Sequence, residues 1–153
     1  MHDRPFRENA DEIEDLLQQY ESLRSGRRSS FLEEESFEIL IEHFSEKNNF
    51  FKALEVVDTA LDYFPYSGDL FIKKADLFIA TYKYNDALAV LQQAEFFDAD
   101  NIDIYILKTD AYLALDMQQK AADLLEEARR RGHEFEILAK PVHPQDLLAK
   151  LRG

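Results

Sequence analysis

Residues 68–101 read GDLFIKKADLFIATYKYNDALAVLQQAEFFDADN, and the stretches on either side, 34–67 and 102–135, line up with it without a gap at a period of 34 residues. The fourth position of the three blocks is Phe37, Phe71 and Tyr105, and the eleventh is Phe44, Phe78 and Tyr112. Alanine recurs at the twentieth (Ala53, Ala87, Ala121) and the twenty-seventh (Ala60, Ala94, Ala128), with Val57, Leu91 and Leu125 between them. Each block closes in turn-like sequence: Phe64-Pro65-Tyr66-Ser67-Gly68, Asp98-Ala99-Asp100-Asn101 and Arg131-Gly132. The spacing predicts a helix, a turn and a second helix per block.

A helix pair of this length cannot bury its apolar stripe alone, so neighbouring pairs must stack. Alanines at the twentieth and twenty-seventh positions suit the closest approach of the two helices of a pair, where a bulky residue at Ala87 would jam the crossing. The large rings at the fourth and eleventh positions are expected to fill the space between one pair and the next, at an interaxial distance of roughly 8–10 Å.

On these residues the chain resembles the tetratricopeptide repeat family. The first block carries the pattern in Phe37, Leu40, Phe44, Ala53, Val57, Ala60 and Pro65, and the second in Phe71, Ala75, Phe78, Ala87, Leu91 and Ala94. Departures are Ile41 at a position usually small, Lys74 and Lys108 where leucine is usual, and Ala99 and His133 where proline is usual. The resemblance implies an all-α fold: an α-solenoid of three helix-turn-helix repeats, 34–67, 68–101 and 102–135, with capping segments at 1–33 and 136–153.

Ahead of the repeats, Arg7 to Leu23 reads as an amphipathic helix, with Ile13, Leu16, Leu17, Tyr20 and Leu23 at helical spacing. Ser25-Gly26-Arg27-Arg28-Ser29-Ser30 breaks it as a linker. Two roles compete for this helix: capping the first repeat, or reaching the groove or another chain. After the repeats, Phe135 to Pro141 reads as a short extended run and His143 to Leu151 as a short helix. This tail resembles the end of a response-regulator receiver domain, but the acidic phosphoacceptor strands of that family have no counterpart, so Lys140 would meet no phosphate. Leu147, Leu148 and Leu151 are expected to cover the third repeat.

Composition sets further bounds. With 153 residues and 46% hydrophobic content, the chain fits one domain with a continuous stacked core. There is no cysteine, which excludes disulfide and thiolate chemistry and agrees with a reducing cytoplasm. Met1-His2-Asp3-Arg4-Pro5 leads into Glu8, Asp11, Glu12 and Glu14 rather than into the apolar segment of a leader, and no run approaches the roughly 20 apolar residues of a membrane span. Acidic residues outnumber basic ones 31 to 18, for a formal net charge of −13. Such a field repels nucleic-acid phosphates and anionic lipid, so neither nucleic acid nor membrane is an expected partner. The basic clusters are Arg24, Arg27 and Arg28, which could fold back onto an acidic groove, and Arg129, Arg130 and Arg131, which oppose the negative end of a helix dipole.

In the family the resemblance points to, the first helices of successive repeats line a concave groove. The facing positions here are Glu35, Glu38, Glu42, Ser45 and Glu46, then Asp69, Ile72, Asp76, Ile79 and Ala80, then Asp103, Ile106, Asp110, Leu113 and Ala114. Lys, Asn and Arg on these faces clamp a peptide carboxylate in some members, and that set is missing. An acidic groove with an apolar floor is expected, taking a basic or amphipathic segment of a protein partner. The bland reading of the same acids is a solvated face. The alternative function is self-association through Phe50, Phe51, Tyr82, Tyr84, Phe96 and Phe97.

Catalysis is not expected. His2, His43, His133 and His143 form no close metal-ligand pair, the four glycines are scattered, and carboxylates on a solvated face lack a dry pocket to separate their pKa values. No cofactor or metal is implied.

Overall fold

A computed structural model describes residues 6–26 and 31–132. Seven helices occupy them: α1 (Phe6–Arg24), α2 (Glu34–Glu46), α3 (Phe50–Tyr63), α4 (Gly68–Ala80), α5 (Tyr84–Phe97), α6 (Ile102–Ala114) and α7 (Gln118–Arg130). No strand occurs among the described residues. The chain divides into two compact units, Met1–Tyr66 and Ser67–Gly153.

The repeat is legible down to single hydrogen bonds. The fifteenth residue of each block, Asn48, Tyr82 and Asp116, has a left-handed backbone, with φ of 59°, 64° and 60°. The next amide closes onto the carbonyl of the eleventh residue at 2.8 Å in all three, Asn49 to Phe44, Lys83 to Phe78 and Met117 to Tyr112. The left-handed residue itself donates to the twelfth, Asn48 to Ser45, Tyr82 to Ile79 and Asp116 to Leu113, at 2.9–3.0 Å. This is a Schellman closure, which satisfies carbonyls that the end of a helix leaves open and reverses the chain in few residues. The first helices begin under side-chain caps at the block boundaries: Ser67 accepts from the Leu70 amide at 3.2 Å and Asn101 from the Asp103 amide at 2.8 Å. Glu33 stands at the same place before α2 without a side-chain cap bond.

In the N-terminal unit α2 and α3 pack face to face over Phe37, Leu40, Ile41, Ala53, Val56, Val57 and Ala60, all buried. Phe37 is the ring hub: it stacks on Tyr63 at 6.2 Å, meets Phe64 edge-on, and receives the edge of Tyr20 at 6.5 Å. Between the two roles open to the first helix, α1 takes the capping one, laying Leu16, Tyr20 and Leu23 on the α2–α3 pair. A polar lock fixes it there. Fully buried Tyr20 donates its hydroxyl to Glu55 at 2.7 Å, Lys52 donates to the same carboxylate at 3.1 Å, and Arg24 reaches Thr59 at 3.2 Å and Glu55 at 3.6 Å. Burial pushes the Tyr20 phenol well above its ordinary value, with the Thr59 hydrogen bond opposing and the Glu55 carboxylate adding to the rise. Burial would also raise Glu55, but hydrogen bonds from Tyr20 and Lys52 and the charges of Lys52 and Arg24 prevail and hold its carboxyl below the usual value.

In the C-terminal unit α4 and α5 form one hairpin and α6 and α7 the next, with α6 also packed on α5. Ala75, Ala87, Leu91 and Ala94 are fully buried between the helices, joined by Ile72, Val90 and Ile104. Phe71 stacks on Phe97 at 5.7 Å, the same fourth-to-thirtieth contact that joins Phe37 to Tyr63. In the first two blocks the ring at the fourth position is therefore held within its own hairpin, against the end of the second helix, rather than only between neighbouring pairs. Lys108, where the family pattern has leucine, bridges instead: its ammonium meets Glu95 of α5 at 2.9 Å with the side chain only 15% exposed. Lys74 places its ammonium 5.9 Å from the centre of the Phe78 ring.

Candidate functional site

The α-helical period sets positions two, five, nine, twelve and thirteen of a block on one side of its first helix. On α2, Glu35, Glu42 and Glu46 are exposed, whereas Glu38 and Ser45 are half-buried. Like charges three or four residues apart on a helix repel by roughly 0.2–0.5 kcal/mol per pair.

Helices α4 and α6 lie within one unit and pack against each other. Asp69, Asp76, Asp103 and Asp110 are exposed along them. Ile79, Ile106 and Leu113 are half-buried, Ile79 packed against the core of the α4–α5 hairpin and Ile106 against Tyr105 and Ala128, and Ala80 and Ala114, at the thirteenth position, are exposed. Ile72 differs from its equivalent Ile106: at 9% exposure it belongs to the core with Ala75, Val90 and Ile104. Apolar surface on these faces is thus offered by Ile79, Ile106 and Leu113, with alanine leaving room at the helix ends. The arrangement can pair with cations at its rim and cover aliphatic side chains at its floor.

Other residues singled out by the sequence sort by their contacts. Arg24 is engaged with Glu55 and Thr59, while Arg129 and Arg131 pair with Glu126 and Glu127 one turn back, at 3.0 and 3.2 Å. His43 is half-buried with its ring 5.1 Å from that of Phe44. Among the aromatics, Phe51, Tyr82 and Phe96 are exposed, Phe97 partly so, and Phe50 and Tyr84 half-buried. Arg27, Arg28, His2, His133, His143, Lys140 and the expected C-terminal cap of 136–153 lie outside the described residues. The Tyr20–Glu55 lock carries no signal in the sequence. Its members are 35 residues apart and neither stands at a position of the repeat pattern, Tyr20 showing in the sequence only as one apolar position of the first helix.

Tandem helical hairpins with alanine crossings and Schellman-closed turns define an all-α helical-repeat protein. No family model and no curated protein sequence matches the chain. Solved structures do. The TPR2B domain of yeast Sti1, in complex with pHsp70, is similar at a TM-score of 0.66 and 18% identity, over 78% of this chain and 95% of that one. The first TPR of Spaghetti (RPAP3), bound to the HSP90 peptide SRMEEVD, gives 0.64 and 15%, over 78% and 90%. A double mutant of MamA RS-1 gives 0.66 and 17%, over 95% and 85%. The chain has the fold of tetratricopeptide-repeat domains. Among its described residues no helix is long and apolar enough to cross a membrane.

Proposed function

We propose that the protein is a non-catalytic interaction module whose first-helix faces bind a basic or amphipathic segment of another protein. The observation that carries this reading is the α4–α6 surface, where exposed Asp69, Asp76, Asp103 and Asp110 run beside half-buried Ile79, Ile106 and Leu113. Two structures of like fold hold Hsp70- or Hsp90-derived ligands, so the fold is suited to such a role. The peptide SRMEEVD is itself acidic. Here the fifth and ninth positions are Glu38, Ile72, Ile106 and Glu42, Asp76, Asp110, and the four carboxylates among them would repel a ligand of that sign. A cationic partner would gain ion pairs with the exposed carboxylates.

Binding of an alternating lysine–leucine peptide, followed by fluorescence anisotropy, tests the reading. Raising salt from 0.1 to 1 M shortens the Debye length from about 10 to about 3 Å, and affinity should fall at least about tenfold. The double substitution Asp76→Lys with Asp110→Lys should abolish binding while leaving the helical content intact. Affinity indifferent to both changes would remove this surface from consideration.

A further inference from the structure

The three repeats act as internal controls for one another, because a side chain that the fold requires should recur at its position. Position 29 is Asp62 in the first block, Phe96 in the second and Arg130 in the third. The polar pair shows that packing does not call for a ring there, and Phe96 is accordingly 84% exposed. Its ring is nevertheless in contact with others. Phe96 meets Phe97 at 5.2 Å and 75°, and Phe97 is stacked on Phe71 at 5.7 Å and 9°. Three rings thus form a stepped ledge at the end of α5, anchored in the α4–α5 hairpin and open at Phe96.

Acids border the ledge. Exposed Asp98 and Asp100 follow Phe97 in the chain. Asn101 holds the Asp98 carboxylate at 2.8 Å, which positions the charge. A ring face bordered by carboxylates selects a cation that can both stack and pair, and the planar, weakly hydrated guanidinium does so better than an ammonium. A second copy of this chain, at a net charge of −13, would bring like charge to the same place.

We infer that the Phe96–Phe97–Phe71 ledge is a second docking site, separate from the first-helix faces, which takes an arginine of a basic protein segment. It stands whether or not those faces bind peptide.

The test uses the full chain and a labelled twelve-residue peptide of alternating arginine and alanine, which offers no large apolar side chain to Ile79, Ile106 or Leu113. The expected result is that Phe96→Leu weakens binding about tenfold. Phe96→Asp should weaken it as much or more although it adds a negative charge, which a purely electrostatic contact would turn into a gain. In the Asp76→Lys, Asp110→Lys background, Phe96→Leu should still weaken the remaining binding about tenfold. Both Phe96 variants alter an exposed side chain, so circular dichroism should show the fold unchanged, and Phe96→Leu keeps the test valid if Phe96→Asp folds poorly. Equal affinity of the wild type and Phe96→Leu overturns the assignment. So does sedimentation showing a dimer that Phe96→Asp dissolves, since the occupant would then be a second copy.

Discussion

Tyr82 illustrates how a single residue can stand against its local backbone. The left-handed conformation at φ 64° suits glycine, asparagine or aspartate, and the equivalent residues are Asn48 and Asp116. A tyrosine there carries strain of order 1 kcal/mol, and its ring, 79% exposed with an edge contact to Tyr84 at 6.4 Å, returns little burial. Tyr82→Gly should therefore raise stability by about 0.5–1 kcal/mol in urea unfolding, whereas Asn48→Ala should lower it by about as much. At Glu55 the signs run with pH. Its carboxyl is depressed in the folded state, so its stabilisation is present above the unfolded pKa near 4.5 and lost as pH falls through the lower folded value. Tyr20 is raised, so its contribution is full below the unfolded value of 10.0 and declines as pH climbs beyond it. Thermal unfolding should show both flanks, with Glu55→Gln flattening the acid side and Tyr20→Phe the alkaline one.

At the scale of helices, most of the architecture was legible because period alone locates it. Ala53, Ala87 and Ala121 are all fully buried, as a small residue at a helix crossing must be. Ala87→Leu would force three extra heavy atoms into the α4–α5 contact, and overpacking of this kind costs about 1–3 kcal/mol. Its midpoint in urea should fall accordingly, while Ala89→Leu on the exposed side of the same helix should change little. What the pattern could not tell is which partner each side chain chooses. Lys108 departs from the repeat consensus, yet Glu95 thirteen residues earlier compensates it across α5 and α6. Ile72 and Ile106 occupy equivalent positions, but only Ile72 is drawn into the core beside Ile104, because α6 packs over it. The Tyr20–Glu55 lock escapes periodicity altogether, since it joins a helix outside the repeats to one inside them.

For the molecule as a whole, labour is divided between the two sides of each hairpin. Alanines, rings and the Schellman turns make the scaffold, and the first-helix faces carry exposed acids beside aliphatics such as Ile79 and Ile106 that also pack against it. On the reading proposed above, the net charge of −13 would favour cationic partners over nucleic acid or a second copy. At 17.9 kDa the full chain is suited to amide shift mapping by NMR during titration with the lysine–leucine peptide. If the first-helix faces are the working surface, the largest shifts fall on Glu35, Glu38, Glu42 and Glu46 and on the α4 and α6 residues from Asp69 to Ala80 and Asp103 to Ala114. Saturable binding that leaves those amides unmoved, with shifts confined to α3, α5 and α7, would refute that assignment.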